Sequence, residues 1–404
     1  MVAAAAVVVL AACSAGGDGG GADALVRSSD ARLARAAEAL LPDLARRAGL
    51  ELTRPVRLER RSRAELERYL DAKLDEQLPH ERARNVGTVY ELLGMVPRGT
   101  DLRALLRSIY LEQVGGFYDP DSTTLFVMDD QSPDVLEPLL VHELVHALQD
   151  QATDLDSITD PARGNDAATA ATAAVEGHAT LVMFEAMLSR QQGEDVDLTR
   201  LPDLMGTIGP SLAEAREASP ALASAPRVVQ ESLLFPYLGG AAFLADVWAH
   251  EPGRRPPFGA RLPASTEQVL HPERYRAESR DAPTRLVLEA DPAPALEDGL
   301  GELETGIFLE GLYGDEAARA LARGWDGDRF ALFRPADGAP ALVWVSVWDA
   351  PGSRDRFVEA VRARAAALPV PSVLEPIEVD GRPGVRLSVG EAPAVRVHAE
   401  GGVP

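Results

Sequence analysis

Cysteine is almost missing from this chain: 404 residues contain one, Cys13. A single thiol cannot close an intramolecular disulfide, and it rules out Cys-based zinc ribbons and paired-thiol redox sites. Positive charge is also short, with 40 Lys and Arg against 63 Asp and Glu and a formal net charge of −23. That balance repels a phosphate backbone, and no local Lys/Arg cluster offsets it, so no nucleic-acid partner is expected. No apolar run reaches the ~18–20 residues that a membrane-spanning helix needs. What is present is an ordinary globular balance, 46% hydrophobic and 25% charged residues. The length suits two average domains, or one large domain with an appendage.

Residues 1–12 read MVAAAAVVVLAA, too short to span a bilayer but right for the apolar part of a signal segment. The segment ends in Leu10-Ala11-Ala12-Cys13 and is followed by a Gly-rich stretch, 13–24. This resembles the lipobox of bacterial lipoproteins, where the cysteine becomes a lipidated N-terminus. The resemblance implies lipidation at Cys13, a flexible tether over 13–24 and an extracytoplasmic position on the bacterial cell envelope.

The rest alternates helical and strand-like texture, predicting an α+β fold. Apolar residues at helical spacing predict a helix within Leu25–Leu50, interrupted at Pro42, and another over Arg63–Leu78. Val56–Leu58 is strand-like, and Asp101 starts a further helix. Two β-prone runs around Asp119-Pro120-Asp121-Ser122 predict a hairpin from Val114 to Met128. Ser132-Pro133 opens a helix with a kink or restart expected at Pro138. An Ala-rich helix is predicted over Ala167–Leu188 and another large helix near Tyr237–Ala249. Beyond residue 280 the pattern predicts a helix over Gly299–Arg323, strands at Arg329–Phe333 and Ala341–Trp348, and a helix at Arg354–Leu368. Short strands at Gly384–Val389 and Ala394–Val397 finish the chain. Trp325, Trp344 and Trp348 are expected in the core of this last part.

Val141-His142-Glu143-Leu144-Val145-His146 carries the chemistry. Two histidines four apart on a helix present both imidazoles on one face, so they can grip a single ion. Leu140, Val141, Leu144, Val145 and Leu148 supply the apolar stripe that buries the helix. Glu143, one residue off the pair, reaches a water on the metal and can accept its proton, and Zn²⁺ lowers the pKa of such a water towards ~7.

Two acids compete to complete the site. The Gly and His that extend the motif in metzincins are missing, since Gln149 and Ala152 stand in their place. Asp166 lies at a helix N-terminus, where an acid is expected simply to complement the dipole. Glu176 lies mid-helix among Ala, Val and Thr, where a carboxylate without a partner is costly. Ten residues of helix separate them by roughly 15 Å, so one ion cannot take both. Glu176 is the preferred ligand, and Asp166 is kept as a group that orients a ligand from behind. His178 falls about 200° around the helix from Glu176 and is read as packed rather than ligating.

His142, Glu143 and His146, with Glu176-Gly177-x-Ala179, resemble the gluzincin group of zinc metallopeptidases over roughly Val114–Met187. The resemblance implies a mainly helical, zincin-like domain with a small edge-strand sheet, here 25–280; the change of texture beyond residue 280 separately predicts a C-terminal α+β domain, 281–404. The resemblance also implies Zn²⁺ held by His142, His146 and Glu176, Glu143 activating water, and a peptide or protein substrate. That substrate would lie along the hairpin edge at Gly116 and Tyr118. Gluzincins stabilise the oxyanion with a Tyr or His, and Tyr237 and His271 are the candidates. Thr180 stands where many gluzincins place an Asp that orients a ligand histidine, so that support must come from elsewhere. The reading from a different class is a non-catalytic, metal-containing lipoprotein that acts as a binding or assembly module.

Overall fold

The computed structural model describes residues 24–201, 204, 206–209, 219–278 and 280–400. Cys13, segment 1–12 and all of the 13–24 stretch but its last residue lie outside them. The architecture is mixed α+β with a β-rich C-terminal region.

β1 (Val26–Arg27), α1 (Ala31–Ala48) and β2 (Val56–Arg61) open the described chain. Asp30 caps α1 by accepting from the N–H groups of Arg32 and Leu33, and Gly49, at φ 65°, ends it. The helix runs unbroken through Pro42 and buries Leu33, Ala37, Leu40, Leu41 and Leu44 along one stripe. Then come α2 (Arg63–Gln77), α3 (His80–Leu92) and α4 (Leu102–Gln113). The sequence reading missed α3 because buried Asn85, Gly87 and Thr88 interrupt its apolar period.

β3 (Gly116–Asp119) and β4 (Thr124–Met128) form the expected hairpin, with the Asp119 carboxylate accepting from the Ser122 N–H across the turn. The sheet order is β1-β2-β4-β3. β1, β2 and β4 run parallel, and β3 is an antiparallel outer strand. α5 (Pro133–Ala152) passes through Pro138 as one helix. α6 (Asn165–Gln192) ends at Gly193, φ 73°. α7 (Arg227–His250) begins well before the expected Tyr237 and runs through Pro236, the residue that made a later start look necessary. It is long and apolar enough to cross a membrane, yet most of it is buried, chiefly against α6, which accounts for its composition. The two helices meet at glycines. A Cβ on Gly177 would lie 2.0 Å from the Gly240 carbonyl carbon, and one on Gly240 would lie 2.0 Å from the Ala173 oxygen. Only glycine permits backbones to approach so closely.

Beyond residue 280 the main elements are β5 (Leu286–Ala290), β6 (Leu296–Asp298), α8 (Gly301–Tyr313), β7 (Trp325–Phe333), β8 (Ala341–Trp348), α9 (Pro351–Ala363), β9 (Ser372–Val379), β10 (Arg382–Val389) and β11 (Val395–Ala399). The helix expected over Gly299–Arg323 stops at Gly314, φ 67°, and a 3₁₀ stretch follows. An antiparallel sheet, β6-β7-β8-β10-β9, presents two faces. Along β8, Leu342, Trp344 and Trp348 join the main core, while Val343, Val345 and Val347 pack in a smaller cluster with β5 and β11 residues.

That main core is continuous from Val26 to Val389, so packing does not divide near residue 280. Polar contacts cross the same boundary. The Tyr90 hydroxyl donates to Glu304 at 2.8 Å, and Asp298 accepts from the Asn165 N–H at 2.9 Å, at the start of α6. Asp328 of β7 accepts from the N–H groups of Leu300 and Gly301 and from the indoles of Trp325 and Trp344.

Candidate metal centre

α5 buries Leu140, Val141, Leu144, Val145 and Leu148, at most 2% exposed, which turns His142 and His146 towards α6. Their rings meet edge-on, with centroids 4.7 Å apart and Nε2 atoms 3.0 Å apart. Glu176 reaches them from mid-α6, its Oε2 at 3.2 Å from His142 Nε2 and 3.4 Å from His146 Nε2. One ligand atom from each residue lies within 4.8 Å of the other two. Two imidazole nitrogens and one carboxylate oxygen in such a cluster suit a divalent ion such as Zn²⁺, with a fourth position left for water or substrate. Burial resists charge on His146 and Glu176, but their mutual attraction outweighs it, raising the histidine pKa and lowering that of the glutamate.

Asp166 is not near this group. Its carboxylate accepts from the Thr266 N–H and hydroxyl, so it anchors the start of the short helix Thr266–Leu270 and orients no ligand. A second cluster of acids, Glu267, Asp281 and Asp349, surrounds the Arg274 guanidinium, which pairs with all three.

Glu143 is 8% exposed, and its Oε2 accepts from the Tyr118 N–H at 2.8 Å. Strand β3 therefore fixes the carboxylate beside the histidines. Gly115 accepts from the Met128 N–H, so Gly115, Phe117 and Asp119 turn their backbone groups towards β4. Gly116 and Tyr118 turn theirs away from β4, on a strand whose four residues are all buried. Of the two residues expected to bind substrate, Gly116 presents its N–H and C=O along the edge. Tyr118 has its N–H on Glu143 and its hydroxyl on Asp150 at 2.8 Å. A Cβ at Gly116 would lie 2.7 Å from the Phe126 oxygen, so no larger residue fits there.

The edge, the histidines and Glu176 open into a cavity of about 390 Å³. Its wall is mostly apolar, with Leu66, Leu70, Leu139, Met183 and Leu233 among its residues. Tyr110 and Thr180 also line it, and their buried hydroxyls have no hydrogen-bond partner among the described residues. Tyr237 projects from α7 into the same cavity, its ring centroid 6.0 Å from that of His142. Burial, reinforced by Glu176 and Glu143, raises its phenol pKa far above the usual value, so it stays a hydrogen-bond donor. The other oxyanion candidate is displaced: His271 is not among the cavity residues, and its Nε2 lies 2.9 Å from Glu302 between two short helices. Its position just before Pro272 places it in a turn that packs on α8.

One group escaped the sequence reading. Gln149, fully buried on α5, holds His146 Nδ1 at 2.8 Å from its Oε1. The available signal was its spacing, three residues after His146 and so on the same helix face. Gln149 also contacts His178, which packs edge-on against Trp248 and Phe258, and burial lowers the His178 pKa to about 3.

Residues 287–401 match the family model of a domain of unknown function, DUF8575. The match covers less than a third of the chain and leaves His142, His146 and Glu176 outside it. No curated protein and no solved structure matches the chain.

Proposed function

We propose that this protein is a zinc-dependent peptidase with a zincin-like arrangement of edge strand and metal-binding helix. The observation that carries the reading is the convergence of His142, His146 and Glu176 within 4.8 Å, beside a Glu143 tied to the outer strand of the sheet. His142 Nε2, His146 Nε2 and a Glu176 oxygen would hold the ion. Zinc, when bound, supplies Lewis acidity that polarises a carbonyl and makes water acidic near neutral pH.

The chain supplies the rest. Glu143 takes the proton of the attacking water on its carboxylate and returns it to the leaving amine. Tyr118 keeps that carboxylate oriented through its backbone N–H. The Tyr237 hydroxyl donates to the oxygen that becomes negative as the carbonyl is attacked. Gly116 pairs with an extended polypeptide as an added strand, and the apolar cavity takes a hydrophobic side chain next to the cleaved bond. The Leu10-Ala11-Ala12-Cys13 motif supports attachment to the outer face of a bacterial membrane through a lipid on Cys13.

A Glu143→Gln variant tests the mechanism. It should bind zinc like the parent and cleave an unstructured protein substrate slower by roughly 10²–10⁴-fold. Equal rates for the two proteins overturn the assignment. Bound zinc with no chelator-sensitive cleavage on any peptide library favours a binding module instead.

A further inference from the structure

Gln149 makes one contact with a candidate metal ligand and two with groups that fix its own orientation. Its Oε1 lies 2.8 Å from His146 Nδ1, and its Nε2 lies 2.9 Å from the Val175 carbonyl oxygen and 3.0 Å from His178 Nδ1. His178 Nε2 lies 3.0 Å from the carbonyl oxygen of Ala48, the last residue of α1. A carbonyl oxygen can only accept. Val175 therefore requires the amide nitrogen of Gln149 on its side, and Ala48 requires the His178 proton on Nε2. With both fixed, the series has one direction. His178 donates to Ala48, Gln149 donates to Val175 and to the bare Nδ1 of His178, and Gln149 Oε1 accepts from His146 Nδ1–H. The other His146 tautomer would set a lone pair against Oε1. Gln149 and His178 are each 0% exposed, so solvent does not compete.

We propose that Gln149 is the positioning residue that holds His146 as its Nδ1–H tautomer, with the Nε2 lone pair aimed at the space shared with His142 and Glu176. The direction of the series comes from two backbone carbonyls, one at the end of α1 and one in α6, so these two helices set which nitrogen of His146, on α5, carries the lone pair. This inference rests on the proposed zinc site for its functional meaning and on the hydrogen bonds alone for the tautomer.

The test uses the full chain and zinc affinity measured by chelator competition. Gln149→Met keeps the side-chain length and removes every hydrogen bond, and should raise the zinc Kd by about 10–100-fold. Gln149→Glu keeps an oxygen towards His146 and should recover most of that loss. A packing role alone predicts the reverse order, because glutamate buries a charge against Val175. A folded Gln149→Met protein with parental Kd overturns the proposal, as does a Gln149→Glu protein that binds more weakly than it. If Gln149→Met does not fold, nitrogen-15 NMR of histidine-labelled parent decides, at a pH where His146 is neutral. The Nδ1–H form supports the assignment and the Nε2–H form overturns it. Parent protein that takes up no zinc sinks the peptidase reading, while the NMR result still settles the tautomer.

Discussion

A Gly240→Ala substitution probes the helix crossing on which the site depends. The added Cβ would lie 2.0 Å from the Ala173 oxygen and 2.9 Å from both the Ala173 carbonyl carbon and Gly177 Cα. All three are backbone atoms of α6, so no side chain can swing aside. Restoring even a 3.0 Å contact needs the helices to part by 3.0 − 2.0, or about 1 Å. Overpacking costs ~1–3 kcal/mol, and a clash against backbone belongs at the upper end. Alanine recovers ~1 kcal/mol of helix propensity, leaving a net loss of about 2 kcal/mol. For a chain of 404 residues, at ~2.1 cal/mol/K of unfolding entropy per residue, that lowers Tm by roughly 2 °C. Tyr237 lies three residues before Gly240, and Glu176 adjoins Gly177, so the same 1 Å separates the hydroxyl from the cluster. Under the proposed function, turnover falls by ~10²-fold. Thermal unfolding and peptide hydrolysis measure the two effects. Gly311, exposed on α8 with nothing among the described residues within 4 Å of a Cβ, is the control, and Gly311→Ala should be stabilising by up to ~1 kcal/mol. A Gly240→Ala protein as stable as the parent refutes the reasoning.

Tyr237→Phe should lower kcat by ~10²–10³-fold with little change in KM, as expected for a donor that acts on the developing oxyanion. His271→Gln, away from the cavity, should leave both constants at parental values, and steady-state kinetics on one peptide compare the two variants. Burial raises the Asp166 carboxyl from 3.8 to about 7. Between those values the folded protein binds this proton more tightly than the unfolded chain. The stability it contributes is therefore complete below pH 3.8 and lost as pH rises to about 7. Asp166→Asn keeps an oxygen for Thr266 without ionising, so its Tm relative to the parent should climb across that range, by at most on the order of 4 kcal/mol in stability. A difference that does not vary with pH refutes the sign.

The parts of this site that were legible in the sequence are those set by one helix at a time. His142, Glu143 and His146 announce themselves by spacing, and Glu176 by standing as a carboxylate in an Ala-rich run. The hairpin was legible because its Asp-Pro-Asp-Ser turn has local chemistry. What stayed hidden depends on partners distant in the chain. Gln149 reads as an ordinary helix residue until α1 and α6 bring Ala48, Val175 and His178 to it. His271 looked like a donor near the site, and only the packing of its turn on α8 gives it to Glu302. The first half of α7 was obscured by Pro236, whose helix-breaking tendency is overridden by burial against α6.

The separate fates of Asp166 and Glu176 show how the C-terminal region bears on the site. Both lie on α6, a helix whose buried face is largely alanine and threonine. Small side chains interdigitate weakly and resist axial sliding poorly. Yet a shift of one residue along α6 moves a side chain 1.5 Å and turns it 100°, enough to carry Glu176 away from the histidines. The start of α6 is where the chain beyond residue 280 takes hold, with Asp298 accepting from the Asn165 N–H and the Asn165 amide donating to Gly299. Asp166 adds Thr266, whose hydroxyl in turn receives the Leu303 N–H of α8. These bonds fix the axial position of α6 at one end, and the Gly177–Gly240 contact fixes it in the middle, one residue from the carboxylate. Asp166 is thus unavailable to the cluster for the same reason that Glu176 is correctly placed in it: the acid at the helix start anchors the helix that delivers the other.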